Sequence, residues 1–389
     1  MQEHASHMDD LQEAMSIKYN NQVYELKQAG QDVITLSYGE AYFDVPLYSF
    51  EDLPTPQVFH YSHSRGIDGL RGKLASYYDT LYGVPVDPAS EIIITSGSKI
   101  AIFMTLLAIL NPGDEVVIPE PTWVSYTEQI KLCHANPVMV PYEKSVADLE
   151  KYITARTRAI IICNPNNPSG RIYTEEDLKT MHAICEKHGV YLLSDEAYSD
   201  YFPKNRKFLS AGVHDPKKKH TIICNSMSKN FSISGWRIGY VITNPELTKQ
   251  VLKLNQHLIT CPATILEHYL VKHFDDILKI TDSQIKAVVD KRAEVLKLMD
   301  KHGITYLPGE TTFYIFAGIK GSSLTSTEFA DRLLDEYRVS TIPGIGYGDS
   351  CDKFIRVSIG VESVERIEAG LVKIADLIKK TSNVLSPTH

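Results

Sequence analysis

From about residue 90 to 245, short β-rich runs alternate with helical patterns, and no other feature constrains the fold of this chain as strongly. The runs are "EIIIT" (91–95), "DEVVIPE" (114–120), "RAIIICN" (158–164), "VYLLSDE" (190–196), "HTIICNS" (220–226) and "GYVIT" (239–243). Helical segments follow from near Ser98, through Leu132, and from "TEEDL" (174–178). In the last of these Thr174 fits an N-cap, and Asp177 brings negative charge to a first turn whose N–H groups are unpaired. Strands alternating with helices predict an α/β domain, with a mainly parallel central sheet between helices. After about 245 the pattern changes. Long helical segments run to about 301, followed by a strand-like "TFYIFAGI" (312–319), a helix near 325–337, the turn "PGIGYG" (343–348), a strand "FIRVSIG" (354–360) and a terminal helix. This reads as a smaller α+β unit, which the N-terminal segment joins.

A chain of 389 residues is too long for one ordinary core. The expected division is a large domain over 45–285 and a small domain made of 1–44 and 286–389. Lys and Arg number 40 against 48 Asp and Glu, a net charge of −8 spread along the chain, which argues against a nucleic-acid surface. The one basic run, Lys217–Lys219, lies in a loop with Asp215 and Pro216 and reads as a solvated turn. None of the six cysteines forms a CxxC pair, and several lie in apolar runs. Reduced, buried thiols in a cytoplasmic protein are expected, not a metal site or a disulfide framework. The most apolar helix-like run, Ile100–Leu110, is too short to span a bilayer, and no membrane association is expected.

In sheets of this kind ligands bind beyond the carboxyl ends of the strands, so the residues that follow each strand carry the functional argument. After the first comes "SGSK" (96–99), whose small residues leave helix N–H groups free to face an anion. After "RAIIICN" comes "NPNNPSG" (164–170), where Asn167 projects from a loop stiffened by two prolines. "SDEAYSDY" (194–201) ends an apolar strand in Asp195, an isolated charge that calls for a cationic partner, with Tyr198 three residues on. "SMSKNFSISGWRIGY" (226–240) gathers Ser226, Ser228, Lys229 and Arg237. A single ligand uses all of these. Lys229 suits an aldehyde, as a Schiff base. Ser226, Ser228, Arg237 and the amides at Ser98–Lys99 suit a phosphate. Asp195 suits a protonated ring nitrogen. Pyridoxal 5′-phosphate carries all three features on one small ring, and Trp123 in "PEPTWVSY" (119–126) offers a flat face to stack on it.

From about Leu36 to the C-terminus the chain resembles the fold type I pyridoxal-phosphate enzymes, specifically the class I/II aminotransferases, of which aspartate aminotransferases are familiar members. "NPNNPSG", "SDEAY" and "SMSKNFSISGWRIGY" carry the resemblance most specifically. It implies that Lys229 is the Schiff-base lysine and that Asp195 partners the pyridine nitrogen. By the same resemblance Tyr198 and Asn167 hydrogen-bond the ring's phenolic oxygen. Ser98, Lys99, Ser226, Ser228 and Arg237 hold the phosphate, and Tyr61 reaches the phosphate of a neighbouring subunit. Arg356 in "RVSIG" and Gly39 in "SYGEAYFDVP" match groups that bind the substrate α-carboxylate. The expected activity is transfer of an amino group from an L-α-amino acid to a 2-oxo acid by a homodimer. Lys99 further matches a lysine near the distal carboxylate in some aspartate aminotransferases, which favours a dicarboxylic donor.

Elimination, racemisation, cyclisation and oxidation of amino acids share these cofactor residues, so the residues alone leave those outcomes open. A non-catalytic cofactor-sensing module is the alternative of a different class; the acidic charge and the absence of a DNA-binding extension speak against it. One motif departs from the family pattern. Where Gly-Glu-Pro-Asp is usual, this chain has "GEAY", with Ala41 and Tyr42, at a segment that borders the substrate entrance in relatives.

Overall fold

The computed structural model describes residues 4–203 and 205–382. Its central sheet has seven strands: β1 (Ile92–Thr95), β2 (Glu115–Pro119), β3 (Asn136–Val140), β4 (Thr157–Cys163), β5 (Tyr191–Asp195), β6 (Thr221–Ser226) and β7 (Gly239–Ile242). Their spatial order is β1-β7-β6-β5-β4-β2-β3. Only β7 runs antiparallel to its neighbours. The six strand-like runs of the sequence all form strands. The seventh, β3, escaped that reading because it contains Pro137, which cannot donate to a ladder. It is tolerated because β3 is an edge strand. Apolar side chains cover both faces of the sheet. Ile92 and Ile94 pack into one core with Leu70, Leu74 and Phe274, while Ile93 between them faces Ala101, Ile102 and Leu106 on the other side. The helix Glu175–His188 starts as expected: the Thr174 side chain accepts from the Asp177 amide in a full capping box.

A second, antiparallel sheet orders Ile342–Pro343, Phe354–Ser358 and Tyr314–Gly318 side by side, with Arg356 on its middle strand. It packs with the helices Ser326–Tyr337 and Val364–Lys380. The N-terminal segment joins here: Ile34–Thr35 pairs with Val339–Ser340, and the Ser358 amide donates to the Leu36 carbonyl. The 38-residue helix Thr264–Lys301, about 57 Å long, ties the two parts together. Tyr269, Leu270, Phe274 and Ile277 enter the core under the central sheet, and Ile285, Val288, Val295 and Met299 enter the other.

One expectation is corrected. Lys217–Lys219 is not simply a solvated turn, because Lys218 is fully buried. Its Nζ donates to the Pro85 and Pro216 carbonyls and pairs with Glu91 at 2.9 Å. The partner lies 127 residues away in the chain, so the local charge run gave no sign of it. Among the described residues, no helix is long and apolar enough to cross a membrane.

Candidate active site

The carboxyl ends of β1, β2, β4, β5 and β6 open on one cavity of about 310 Å³, within the range of small-ligand sites. Strand topology explains why residues far apart in sequence meet there. After β6 the chain makes a short helix, Met227–Asn230, and a 3-10 turn, Ser234–Trp236. It then reverses into β7 instead of crossing over. Gly239 thereby pairs with Thr95 at the end of β1 and brings Arg237 beside the start of the helix Ser98–Ile109. The approach is so close that a Cβ on Gly239 would lie 2.4 Å from the Ser98 amide nitrogen. Gly97 takes φ +89, and a Cβ there would strike the Arg237 guanidinium. Glycine at both positions is what this contact requires.

At this end of the cavity the Ser226 hydroxyl caps its own short helix, accepting from the Ser228 amide at 3.0 Å and donating to the Ser228 hydroxyl at 2.7 Å. Arg237, in the left-handed region at φ +56, donates to the Ser234 carbonyl at 2.6 Å. Lys229 stands next to them, half-buried, with Nζ donating to the Gly39 carbonyl. Burial is the main reason its pKa falls to about 8; Arg356 and Arg237 lower it further, and Glu40 opposes them. Lys99 lies at the rim, 5.2 Å from the centre of the Trp123 ring, and its pKa is lowered by burial and by Arg237.

Asp195 is buried at the floor. It accepts from the Tyr126 hydroxyl at 2.6 Å and the Ala197 amide at 3.2 Å. Burial lifts its pKa to about 6 in spite of those two bonds. The Tyr198 hydroxyl lies 3.0 Å from that of Tyr314, and burial keeps the Tyr198 phenol protonated as a donor. Arg356 closes the opposite wall, only 3% exposed. It donates to the Ser37 carbonyl at 2.7 Å and to Asn167 Oδ1 at 3.3 Å, and its Nε finds no partner among the described residues. Its guanidinium lies over the rings of Tyr314, at 4.4 Å, and Tyr347, at 5.6 Å.

Gly39, Ser98, Lys99, Trp123, Asn167, Asp195, Tyr198, Ser226, Ser228, Lys229, Arg237 and Arg356 all line this cavity. Tyr61 does not; it is 87% exposed, on a segment that also exposes Tyr42, Leu47 and Phe59. Sequence reasoning missed Tyr126, Tyr314 and Glu40. Tyr126 lies three residues beyond Trp123 in a stretch already singled out. Tyr314 reads as an ordinary strand tyrosine, and only the meeting of the two sheets gives it a role.

The residues fit pyridoxal phosphate. Asp195 is a buried carboxylate held by neutral donors, which a protonated ring nitrogen would complete. The cradle of hydroxyls, amide and guanidinium near Gly97 suits a phosphate. Over residues 31–374 the chain matches the family described as Aminotransferase class I and II. It belongs to that family and is an aminotransferase, an enzyme that moves an amino group between an amino acid and a 2-oxo acid. It is 31% identical to the aromatic-amino-acid aminotransferase 2 of Thermococcus litoralis, covering 92% of this chain and 95% of that one. With the aspartate aminotransferase of Geobacillus stearothermophilus it shares 32% identity over 88% and 91% of the two chains. The structure of the Thermus thermophilus aspartate aminotransferase with maleate superposes with a TM-score of 0.87 at 27% identity, covering 97% of this chain and all of that one.

Proposed function

We propose that this cavity holds pyridoxal 5′-phosphate through Lys229, Asp195, Tyr198, Asn167, Trp123, Ser98, Lys99, Ser226, Ser228 and Arg237, and uses it to transaminate L-amino acids, dicarboxylic ones among them. One observation carries the reading. The cavity gathers four cationic side chains, Lys99, Lys229, Arg237 and Arg356, against two carboxylates, Glu40 and Asp195. This excess of two positive charges lies inside a chain of net charge −8. Such a site suits a phosphate and a carboxylate together.

When bound, the cofactor supplies a carbonyl that links to an amine and a ring that accepts the electron pair left at Cα. The chain's own residues do the rest. Asp195 keeps the ring nitrogen protonated. Tyr198 and Asn167 offer donors to the phenolic oxygen, and Trp123 covers the ring. Arg356 presents a planar fork to the α-carboxylate, which fixes the direction of the Cα–H bond. With its pKa lowered to about 8, Lys229 can hold a proton at Nζ and release it at neutral pH, as a base that takes the Cα proton must. The Gly39 carbonyl accepts from the same amine, and its backbone is assigned a contact to the substrate carboxylate.

The exposed aromatic and aliphatic side chains of 42–61 support a homodimer in which Tyr61 enters the partner's site. Five buried thiols support a reducing, cytoplasmic setting. Two hydrophobic cores joined by the long helix support a large domain over 45–285 and a small one over 1–44 and 286–389.

A half-reaction screen tests the chemistry. Each L-amino acid is added to the holoenzyme, and loss of the cofactor's visible absorbance is followed together with 2-oxo acid formation. Aspartate and glutamate should react faster than alanine, and Lys99→Ala should slow the dicarboxylates more than alanine. Ammonia or peroxide released alongside the 2-oxo acid, with the amino group not retained on the cofactor, would overturn the reading.

A further inference from the structure

Behind Arg356 lies a second buried arginine that the chemistry above does not use. Arg292 sits on the long helix Thr264–Lys301 and is 1% exposed. Its hydrogen bonds go to three backbone carbonyls. Nε donates to Tyr314 at 3.2 Å, Nη2 to Ser169 at 3.0 Å, and Nη1 to Gly309. A buried guanidinium is costly unless its N–H groups are satisfied. Burial lowers its pKa to about 10. The surrounding chain is stitched to suit it. Gly170 takes φ +74, and a Cβ there would lie 2.4 Å from the Thr311 carbonyl and 2.9 Å from Arg292 Nη2. The Gly170 carbonyl accepts from the amides of Glu310 and Thr311 and from the Thr311 hydroxyl.

Two of the three carbonyls lead back to Arg356. Tyr314 lies against the Arg356 guanidinium, and Ser169 is two residues beyond Asn167, whose Oδ1 accepts from Arg356. The Ser169 loop follows a strand of the central sheet, and Tyr314 opens a strand of the second sheet. Arg292 bridges them from the long helix that enters both cores.

We propose that Arg292 is a positioning residue for the substrate carboxylate: it holds the backbones of Ser169 and Tyr314, and through Asn167 and the Tyr314 ring it sets the direction of the Arg356 fork. The inference rests on the reading of Arg356 as the carboxylate group.

The test uses the holoenzyme with Arg292→Lys and Arg292→Gln. Lysine keeps the charge, but its single nitrogen cannot stand where three separate guanidinium nitrogens each meet a carbonyl. KM for the amino donor should rise about tenfold, a coupling typical of groups in one hydrogen-bonded set. Pyridoxal phosphate affinity should hold within about twofold, since Arg292 touches none of the phosphate-holding groups Ser98, Lys99, Ser226, Ser228 and Arg237. Amide exchange at Gly170, Glu310 and Thr311 should accelerate. In an Arg356→Lys background the Arg292→Lys change should add less than about twofold, because a residue acting through Arg356 has nothing left to orient. An unchanged KM in both Arg292 variants, or full additivity in the double variant, overturns the proposal, as does lost stability with KM unmoved. If Arg356→Lys itself leaves KM unchanged, the carboxylate reading falls and takes this inference with it. If only the Arg292 variants do so, this inference falls alone.

Discussion

Replacing Asp195 with asparagine should stabilise the cofactor-free protein while disabling the enzyme. Burial raises the Asp195 pKa from 3.8 to about 6. At about 1.4 kcal/mol per pH unit, ionising it in the fold costs about 3 kcal/mol. Asparagine removes that cost but returns part of it. Asp195 accepts from Tyr126 with one oxygen and from the Ala197 amide with the other, and an amide has only one acceptor oxygen. One weakened hydrogen bond is worth about 1 kcal/mol, leaving a net gain of about 2 kcal/mol at pH 7.5. The sign with pH follows from a raised acid. The cost is absent below pH 3.8, where the carboxyl is protonated in both states. It grows between 3.8 and about 6 and is complete above. Urea unfolding of the cofactor-free proteins should therefore show the Asp195→Asn variant ahead at pH 7.5, with the gap closing as the pH falls to 4. Adding pyridoxal phosphate should reverse the order at pH 7.5, since only the carboxylate can pair with a protonated ring nitrogen. Turnover should fall by several orders of magnitude for the same reason. A wild type more stable than the variant without cofactor at pH 7.5, or a gap that ignores pH, would refute this account of Asp195.

Borohydride reduction of the holoenzyme should label Lys229, and Lys229→Ala should retain pyridoxal phosphate through the phosphate contacts while losing nearly all turnover; a label on Lys99 would reassign the amine. The rate at which cofactor-free protein takes up pyridoxal phosphate should rise through about pH 8 as Nζ loses its proton, and a flat profile from pH 6 to 10 would contradict it. Mixing Lys229→Ala chains with an impaired Tyr61→Phe variant should give hybrids more active than either parent, because each hybrid dimer contains one intact site. A fully active monomer in sedimentation would remove the dimer and the role of Tyr61 together.

The α/β alternation was legible because strand and helix periods are local: each strand-like run between 91 and 243 formed a strand, and Thr174 capped its helix. Most of the cavity was legible too. Strand ends in such a sheet converge, so Asp195, Asn167, Ser226 and Lys229 could be grouped by their position after a strand. What depends on distant partners could not be read. Lys218 looked like part of a charged turn until Glu91 was placed against it. The antiparallel course of β7, which brings Arg237 to Ser98, is decided by how the chain reverses through Ser232 and Arg237 at positive φ. Arg292 and Tyr314 carry no motif. Their roles arise only where the long helix brings the two sheets together, because the carbonyls and rings they meet lie up to 123 residues away and nothing in the local sequence encodes that meeting.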